Sequence, residues 1–191
     1  MLSRAGIHRL IPRRLRRADL ALFRKIALTE VPVVGPILPP LSRAADYSRL
    51  WMAIALALAL FSGRAGQRAA TRGVLCVAAT SLFVNQPAKY LAGRVRPDWD
   101  VVPEVRRLLR VPASSSFPSG HSASAFAFAV GASQEMPALA WPLGLLASAV
   151  AFSRIYTGVH YPADVLAGVA MGSAFAVASR RLWPVEASPP R

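Results

Sequence analysis

The chain has 191 residues, 54% hydrophobic and only 17% charged, against roughly 25% charge in an average soluble domain. That rules out intrinsic disorder, and the single cysteine, Cys76, rules out an internal disulfide and a zinc ligand cluster. Basic residues number 23 against 9 acidic, a net charge of +14 that points to nucleic acid, an anionic membrane surface or a phosphorylated substrate.

The length suggests one domain. All but two of the basic residues (Lys25 and Lys89) are arginine, so part of the charge is compositional bias rather than function. Residues 1–25 hold Arg4, Arg9, Arg13, Arg14, Arg16, Arg17, Arg24 and Lys25, with no apolar run after them of the kind a cleavable signal peptide needs. They read as a basic cytoplasmic tail. Without interleaved aromatics they are a poor nucleic-acid arm, and no nucleic-acid partner is expected.

Residues 26–41 are apolar but contain Glu30, Gly35 and four prolines, which argues against a straight spanning helix and for a bent, interfacial or re-entrant segment. Five membrane candidates follow: residues 50–62, 73–88, 122–133, 136–152 and 165–179. A basic linker with Arg64, Arg68 and Arg72 separates the first two. The runs are apolar on all faces rather than striped, which favours a bilayer over a soluble bundle. They are shorter than the about 20 residues a bilayer core needs, so several must extend into polar flanks or lie inside a bundle. Gly168 and Gly172 permit close helix packing in the last. The expected fold is all-α: a polytopic membrane bundle of about five to six helices at the cell membrane. Residues 1–49 form a tail and interfacial segment, 50–184 a transmembrane catalytic domain, and 185–191 a short disordered tail.

The remaining polar residues gather in three places: Lys89–Pro97, Phe117–His121 and Ser153–Asp164. No crossing separates the first two clusters and two crossings separate the second from the third, so all three lie on one side of the membrane. Together they offer Lys89, Arg96 and Arg154 as cations, His121 and His160, and the carboxylate of Asp164. The natural ligand is a phosphoryl dianion, which suits the arginine fork and the lysine point charge. Ser119 and Gly120 open a helix whose amide groups favour an anion, and Gly120 lets the backbone approach closely. A neutral imidazole attacks phosphorus. His160 stands four residues before Asp164, a spacing that lets the carboxylate accept the imidazole N–H and fix its tautomer. His121 can protonate the leaving oxygen and then activate water. Three cations around the equatorial oxygens suffice without a metal or other cofactor.

The ordered pattern Lys89-x6-Arg96-Pro97, Pro118-Ser119-Gly120-His121, Ser153-Arg154-x5-His160-x3-Asp164 resembles the type 2 phosphatidic acid phosphatase (PAP2) family, which shares its site with vanadium-dependent haloperoxidases and some bacterial acid phosphatases. All three motifs match without a departure, over about 76 residues. The resemblance implies a helical bundle, no metal cofactor and inhibition by vanadate. It implies that Lys89, Arg96, Ser119, Gly120 and Arg154 bind phosphate, that His160 is the nucleophile with Asp164 its partner, and that His121 is the general acid. The expected activity is metal-independent hydrolysis of a lipid phosphomonoester or diphosphate through a phosphohistidine. Phosphatidic acid, phosphatidylglycerophosphate, polyprenyl diphosphate and a polyprenyl-phosphosugar phosphate are the candidates, and membrane lipids are the surroundings.

Two alternatives stand beside this reading: a vanadium haloperoxidase-like enzyme, against which the short membrane chain argues, and a non-enzymatic basic membrane protein binding anionic lipid. Arg94, outside the motif, reads as a charge snorkelling at a membrane end. Asp98, Asp100 and Glu104 are a weaker, metal-binding reading of the loop, and the long 98–116 segment has the length and position of a lid. Tyr156 and Tyr161 either line the site or mark the interface. His8 is assigned nothing. The side of the membrane that the motifs face turns on whether residues 26–41 cross it, because the distribution of basic residues reverses with that choice. The oligomeric state is not legible.

Overall fold

The computed structural model describes residues 12–108 and 113–184, with the side chains of residues 85, 86 and 105 excepted. The first eleven residues of the basic N-terminal stretch, His8 among them, and the tail at 185–191 lie outside the described residues. Within them the chain forms eight α-helices: α1 (Arg13–Leu28), α2 (Leu38–Ala44), α3 (Arg49–Phe61), α4 (Gly63–Phe83), α5 (Lys89–Ala92), α6 (Gly120–Glu135), α7 (Ala140–Tyr156) and α8 (Pro162–Leu182).

The centre of the bundle is α6, a helix made almost wholly of small residues. Ala123, Ala125, Ala127, Ala129 and Ala132 are buried on it, and it packs between α4 and α8 with α7 alongside. Small side chains let helix axes approach closely, and the limiting case is α8. A Cβ at Gly172 would strike the carbonyl oxygen of Ala123, and one at Gly168 would strike that of Ser119. A second apolar layer, with Trp51 tilted against Phe128 at 5.5 Å between ring centroids, locks α3 and α4 onto the same central helix.

The outer surface has the opposite character. Leu56 and Leu60 on α3, Leu75 and Leu82 on α4, Leu145 on α7, and Leu166 and Val177 on α8 are all exposed. Such a continuous apolar exterior is foreign to a soluble monomer and natural against lipid. By length and composition, Pro137–Tyr156 (20 residues) and Pro162–Leu182 (21 residues) are able to cross a membrane. Gly35–Ala44 with Asp46–Phe61, bent by 65°, makes a third if it is one broken span. The chain is thus a membrane protein. α4 falls short because it begins ten residues before the apolar run and includes three arginines. α6 falls short because it is about 24 Å long and enclosed by its neighbours.

The stretch holding Arg64, Arg68 and Arg72 is therefore helix, not linker. Arg72 is fully buried. Its Nε donates to Glu135 at 2.6 Å and its Nη2 to the Trp183 carbonyl at 2.6 Å, and the guanidinium stacks on the Trp183 ring at 4.9 Å. These contacts tie the middle of α4 to the C-terminal ends of α6 and α8. At the opposite end a break between α2 and α3 sets Tyr47 and Ser48 in left-handed backbone (φ 54° and 60°), a conformation that costs of order 1–3 kcal/mol per residue and persists only where its surroundings hold it.

Because α8 meets α6 backbone to backbone at Gly172, Gly172→Val should lower stability by about 1–3 kcal/mol. Thermal unfolding in uncharged detergent should show a lower Tm for Gly172→Val, with Gly144→Val, where an added Cβ meets nothing within 4 Å, as the mild control; equal midpoints would argue against this packing.

Candidate active site

The three polar clusters meet at the end of the bundle where α6 and α8 begin. The first reaches it through a broken helix. Pro87 interrupts the end of α4, the backbone widens over Val84–Ala88, α5 carries Lys89, and Gly93 in left-handed conformation (φ 55°) turns the chain into an extended segment holding Arg94 and Arg96. The second is the start of α6. Ser119 is its N-cap, taking the Ser122 amide at 3.4 Å and the Ser122 hydroxyl at 2.9 Å. The third is the α7–α8 connection. Arg154 sits in the last turn of α7, and Gly158 (φ 77°) reverses the chain. The Val159 and His160 amides both donate to the Arg154 carbonyl at 3.2 Å. Pro162 then starts α8, with Asp164 in its first turn.

Arg96 Nη1 lies 3.4 Å from His160 Nε2 and donates to the Val159 carbonyl at 2.7 Å. A guanidinium only donates, so Nε2 is the lone-pair nitrogen of the imidazole and Nδ1 carries the hydrogen. The His160 side chain is buried, and Nδ1 has no hydrogen-bond partner. Burial first, then the charge of Arg154 and Arg96, the proximity of His121 and the charge of Lys89, hold its basicity well below the usual histidine range. The ring is therefore neutral and nucleophilic at neutral pH. That same set of neighbours brings Lys89, Arg96, His121 and Arg154 around one imidazole. The side chain of Arg154 is buried, its Nη1 donates to the Ser42 hydroxyl, and its Nε has no partner. Burial, with Arg96 and Arg154 nearby, brings Lys89 down to about 8.

Asp164 is placed differently from the spacing argument. Its Oδ2 is 3.7 Å from His160 Nδ1, beyond a hydrogen bond. That oxygen accepts instead from the Tyr161 amide at 2.9 Å, as the first-turn acid of α8, and Oδ1 accepts from Arg94 at 2.6 Å. The Ser119 amide, expected to be free for an anion, donates to the Asp164 carbonyl at 2.9 Å. The next two amides of the α6 first turn, Gly120 and His121, are those that helix geometry leaves for a ligand. His121 Nε2 lies 2.8 Å from Asp46 Oδ1, so Nε2 carries its hydrogen.

Three residues were missed from sequence. Arg94 does not snorkel: it is 9% exposed, pairs with Asp164 and with Asp19 at 2.5 Å, and stacks on Tyr161 at 4.2 Å. The only signal was its two-residue offset from Arg96. Ser42 lies on α2 and Asp46 in the break that follows it, outside every motif. The loop after the first motif is anchored rather than free over the residues described. Trp99 Nε1 donates to the Thr157 carbonyl at 3.3 Å, Val102 is buried, and Arg106 donates to the Ala27 carbonyl and stacks on Tyr156. Asp98 caps its own turn through the Asp100 amide, and among the described residues no three His, Cys, Asp or Glu side chains gather in a way that could hold a metal ion.

Fold and site together define an all-helical membrane bundle with a basic, histidine-bearing pocket at one end. Residues 70–187 match the family model described as PAP2 superfamily. An undecaprenyl-diphosphatase of Sulfolobus acidocaldarius is 29% identical over 160 residues, covering 81% of this chain and 73% of that one. A decaprenylphosphoryl-5-phosphoribose phosphatase of Mycolicibacterium smegmatis is 36% identical over 130 residues, 67% of each chain. The crystal structure of a transmembrane PAP2 type phosphatidylglycerolphosphate phosphatase from Bacillus subtilis superposes with a TM-score of 0.67 at 23% identity, covering 94% of this chain and 89% of that one. The chain belongs to the PAP2 superfamily. By class it is a phosphoric monoester hydrolase of the PAP2 type.

Removing Arg94 would leave Asp164 and Asp19 buried without their cation. Arg94→Gln should cost about 3–5 kcal/mol, the loss expected for a broken buried ion pair, and lower turnover. Chemical unfolding in detergent beside a phosphate-release assay checks it; wild-type stability would mean that the carboxylates find other partners.

Proposed function

We propose that this protein is a metal-independent, multi-pass membrane lipid phosphatase acting through a phosphohistidine. The observation that carries the reading is the neutral, buried His160 imidazole with its Nε2 lone pair directed at Arg96, in the company of Lys89 and Arg154. We read α3, α4, α6, α7 and α8 as the crossings. The substrate tail would stay in the bilayer while the headgroup enters the pocket, so the ester or diphosphate of a phospholipid or polyprenyl lipid is the fitting class. Curated relatives named for polyprenyl phosphates support the polyprenyl half of that class.

Lys89, Arg96 and Arg154 would bind the non-bridging oxygens, helped by the Gly120 amide, with Ser119 fixing the helix start. Arg96 releases His160 Nε2 as the substrate oxygens take its N–H groups. His160 Nε2 then forms a bond to phosphorus while the bond to the leaving oxygen breaks, and His121 gives that oxygen a proton. Asp164, beside Nδ1–H, stabilises the positive charge on the phosphorylated ring. Asp46 offsets the charge of protonated His121. In the second half His121 takes a proton from water, whose oxygen attacks phosphorus, and the P–N bond breaks to release phosphate and restore His160.

The test is a phosphate-release screen over phosphatidic acid, phosphatidylglycerophosphate and polyprenyl diphosphate in detergent. His160→Ala should abolish release by a factor of at least about 10³, and EDTA should leave the wild type active. Release by His160→Ala at the wild-type rate would remove the nucleophile assignment, and a strict need for added metal would remove the site as drawn.

A second expectation concerns pH. A lysine lowered to about 8 loses its charge as the pH rises through that value, so the free enzyme's grip on a dianion weakens above it. The kcat/KM should therefore decline above about pH 8, chiefly through KM. Lys89→Arg should move the decline to higher pH, and a profile unchanged by that substitution would exclude Lys89 as its origin.

A further inference from the structure

We propose that a basic cleft between α1 and the outer edge of the active site binds the phosphate headgroup of an anionic membrane lipid, at a position separate from the catalytic pocket. The proposal rests on the membrane reading above but not on the phosphohistidine chemistry.

The cleft has a volume of about 440 Å³. One wall is a single face of α1: Arg13, Arg16, Arg17 and Leu20 recur at the i, i+3, i+4, i+7 spacing that lines one side of a helix. The other wall is Arg94, Val95 and Tyr161. Four guanidinium groups thus face one space, and no acidic residue lines it among the described residues. The nearest carboxylate, Asp19, is already committed, with Oδ2 to Arg94 and Oδ1 to the Ala163 amide at 2.9 Å. Arg94 is committed too, through Nη1 to Asp164 and Nη2 to Asp19, so it forms a fixed floor. Arg16 is half-buried, and its Nε is enclosed without a hydrogen-bond partner.

Arginines that merely snorkel splay into water, each with its own solvation. Here α1 is pinned to the bundle by the Asp19 bonds and by burial of Phe23 and Ala27, which keeps the exposed Arg13 and Arg17 and the half-buried Arg16 on the side of the helix that faces Arg94. Their mutual repulsion is relieved by an anion, and a phosphate matches the guanidinium fork. Burial pushes the Tyr161 phenol above its ordinary range, so it stays a neutral group in the wall and adds no competing negative charge.

The surroundings select a lipid as the source of that phosphate. Leu20 on α1 and Val95 at the rim are exposed apolar side chains in the cleft wall itself, beside the arginines. An amphipathic helix with arginines on one side and leucines on another lies at the boundary between headgroups and acyl chains. A lipid whose phosphate enters this cleft from the membrane plane keeps its chains against Leu20 and Val95, a contact that free phosphate cannot make.

The test uses the full chain in uncharged detergent, titrated with dioctanoyl-phosphatidylglycerol, dioctanoyl-phosphatidylcholine or inorganic phosphate, each with and without orthovanadate to occupy the catalytic pocket. Thermal unfolding is the readout, since a ligand bound only to the folded state raises Tm with its concentration. Phosphatidylglycerol should raise Tm saturably, and phosphatidylcholine and inorganic phosphate at the same concentration should raise it far less. The double variant Arg13→Gln/Arg17→Gln should weaken the apparent affinity by about ten-fold or more, Arg13→Lys/Arg17→Lys should retain part of it, and both should hydrolyse a short-chain soluble substrate at close to the wild-type rate. An unchanged response in the Gln variant would overturn the assignment of the cleft. An equal response to inorganic phosphate would overturn the lipid as source, and a response abolished by orthovanadate would place the lipid in the catalytic pocket instead. Failure of any of these leaves the His160 assignment untouched, because that is judged by phosphate release alone.

Discussion

One residue joins the three distant segments of the site. Asp164 holds Arg94 from the first cluster through Oδ1, the Ser119 amide from the second through its backbone carbonyl, and the entry to its own helix through the Tyr161 amide, while Oδ2 faces His160. Its side chain is fully buried. A buried carboxylate is tolerable only when its oxygens are saturated, so the geometry around Asp164 is over-determined. The same demand that stabilises the charge fixes where Arg94, Ser119 and Tyr161 stand.

That arrangement needs α6 and α8 to begin within hydrogen-bonding distance of each other, and the small residues at their contact provide for it. Glycines at 168 and 172 bring α8 onto the backbone of α6, and the buried alanines leave no bulk between the axes. At the far end Arg72 closes the bundle through Glu135 and the Trp183 carbonyl. The hydrophobic effect cannot hold such helices together inside lipid, where the outside is as apolar as the inside. Close packing and a few saturated buried charges take over that role, which is why substitutions at glycine and at paired arginine threaten stability more than changes on the leucine-covered exterior.

The division of labour among the charges follows from what each one touches. Arg94 is spent on carboxylates and shapes the site, whereas Arg96 donates to carbonyl and hydroxyl oxygens and Arg154 to the Ser42 hydroxyl. Burial disfavours the charge of Lys89. The N-terminal helix, rich in arginine, belongs to the site rather than trailing from it: Asp19 is bonded both to Arg94 and to the first turn of α8.

The sequence by itself determined the helical class, the approximate positions of the main helices apart from the arginine-bearing first half of α4, and the residues of the three clusters, because those depend on local hydropathy, on Gly and Pro as turn residues, and on an ordered motif. Counting crossings also placed the clusters at one end without coordinates. The tertiary structure alone decided the pairings. Nothing in the spacing of Arg94 from Arg96 tells which one takes the carboxylates. The i,i+4 spacing of His160 and Asp164 brings them close but cannot show that a helix-start amide and a guanidinium claim the oxygens first. Asp46, Ser42 and Asp19 come from segments without a motif, and reach the site only because a bent α2–α3 pair and a packed N-terminal helix carry them there. Pairings among buried charges are set by three-dimensional competition for partners, and a linear pattern does not record who wins it.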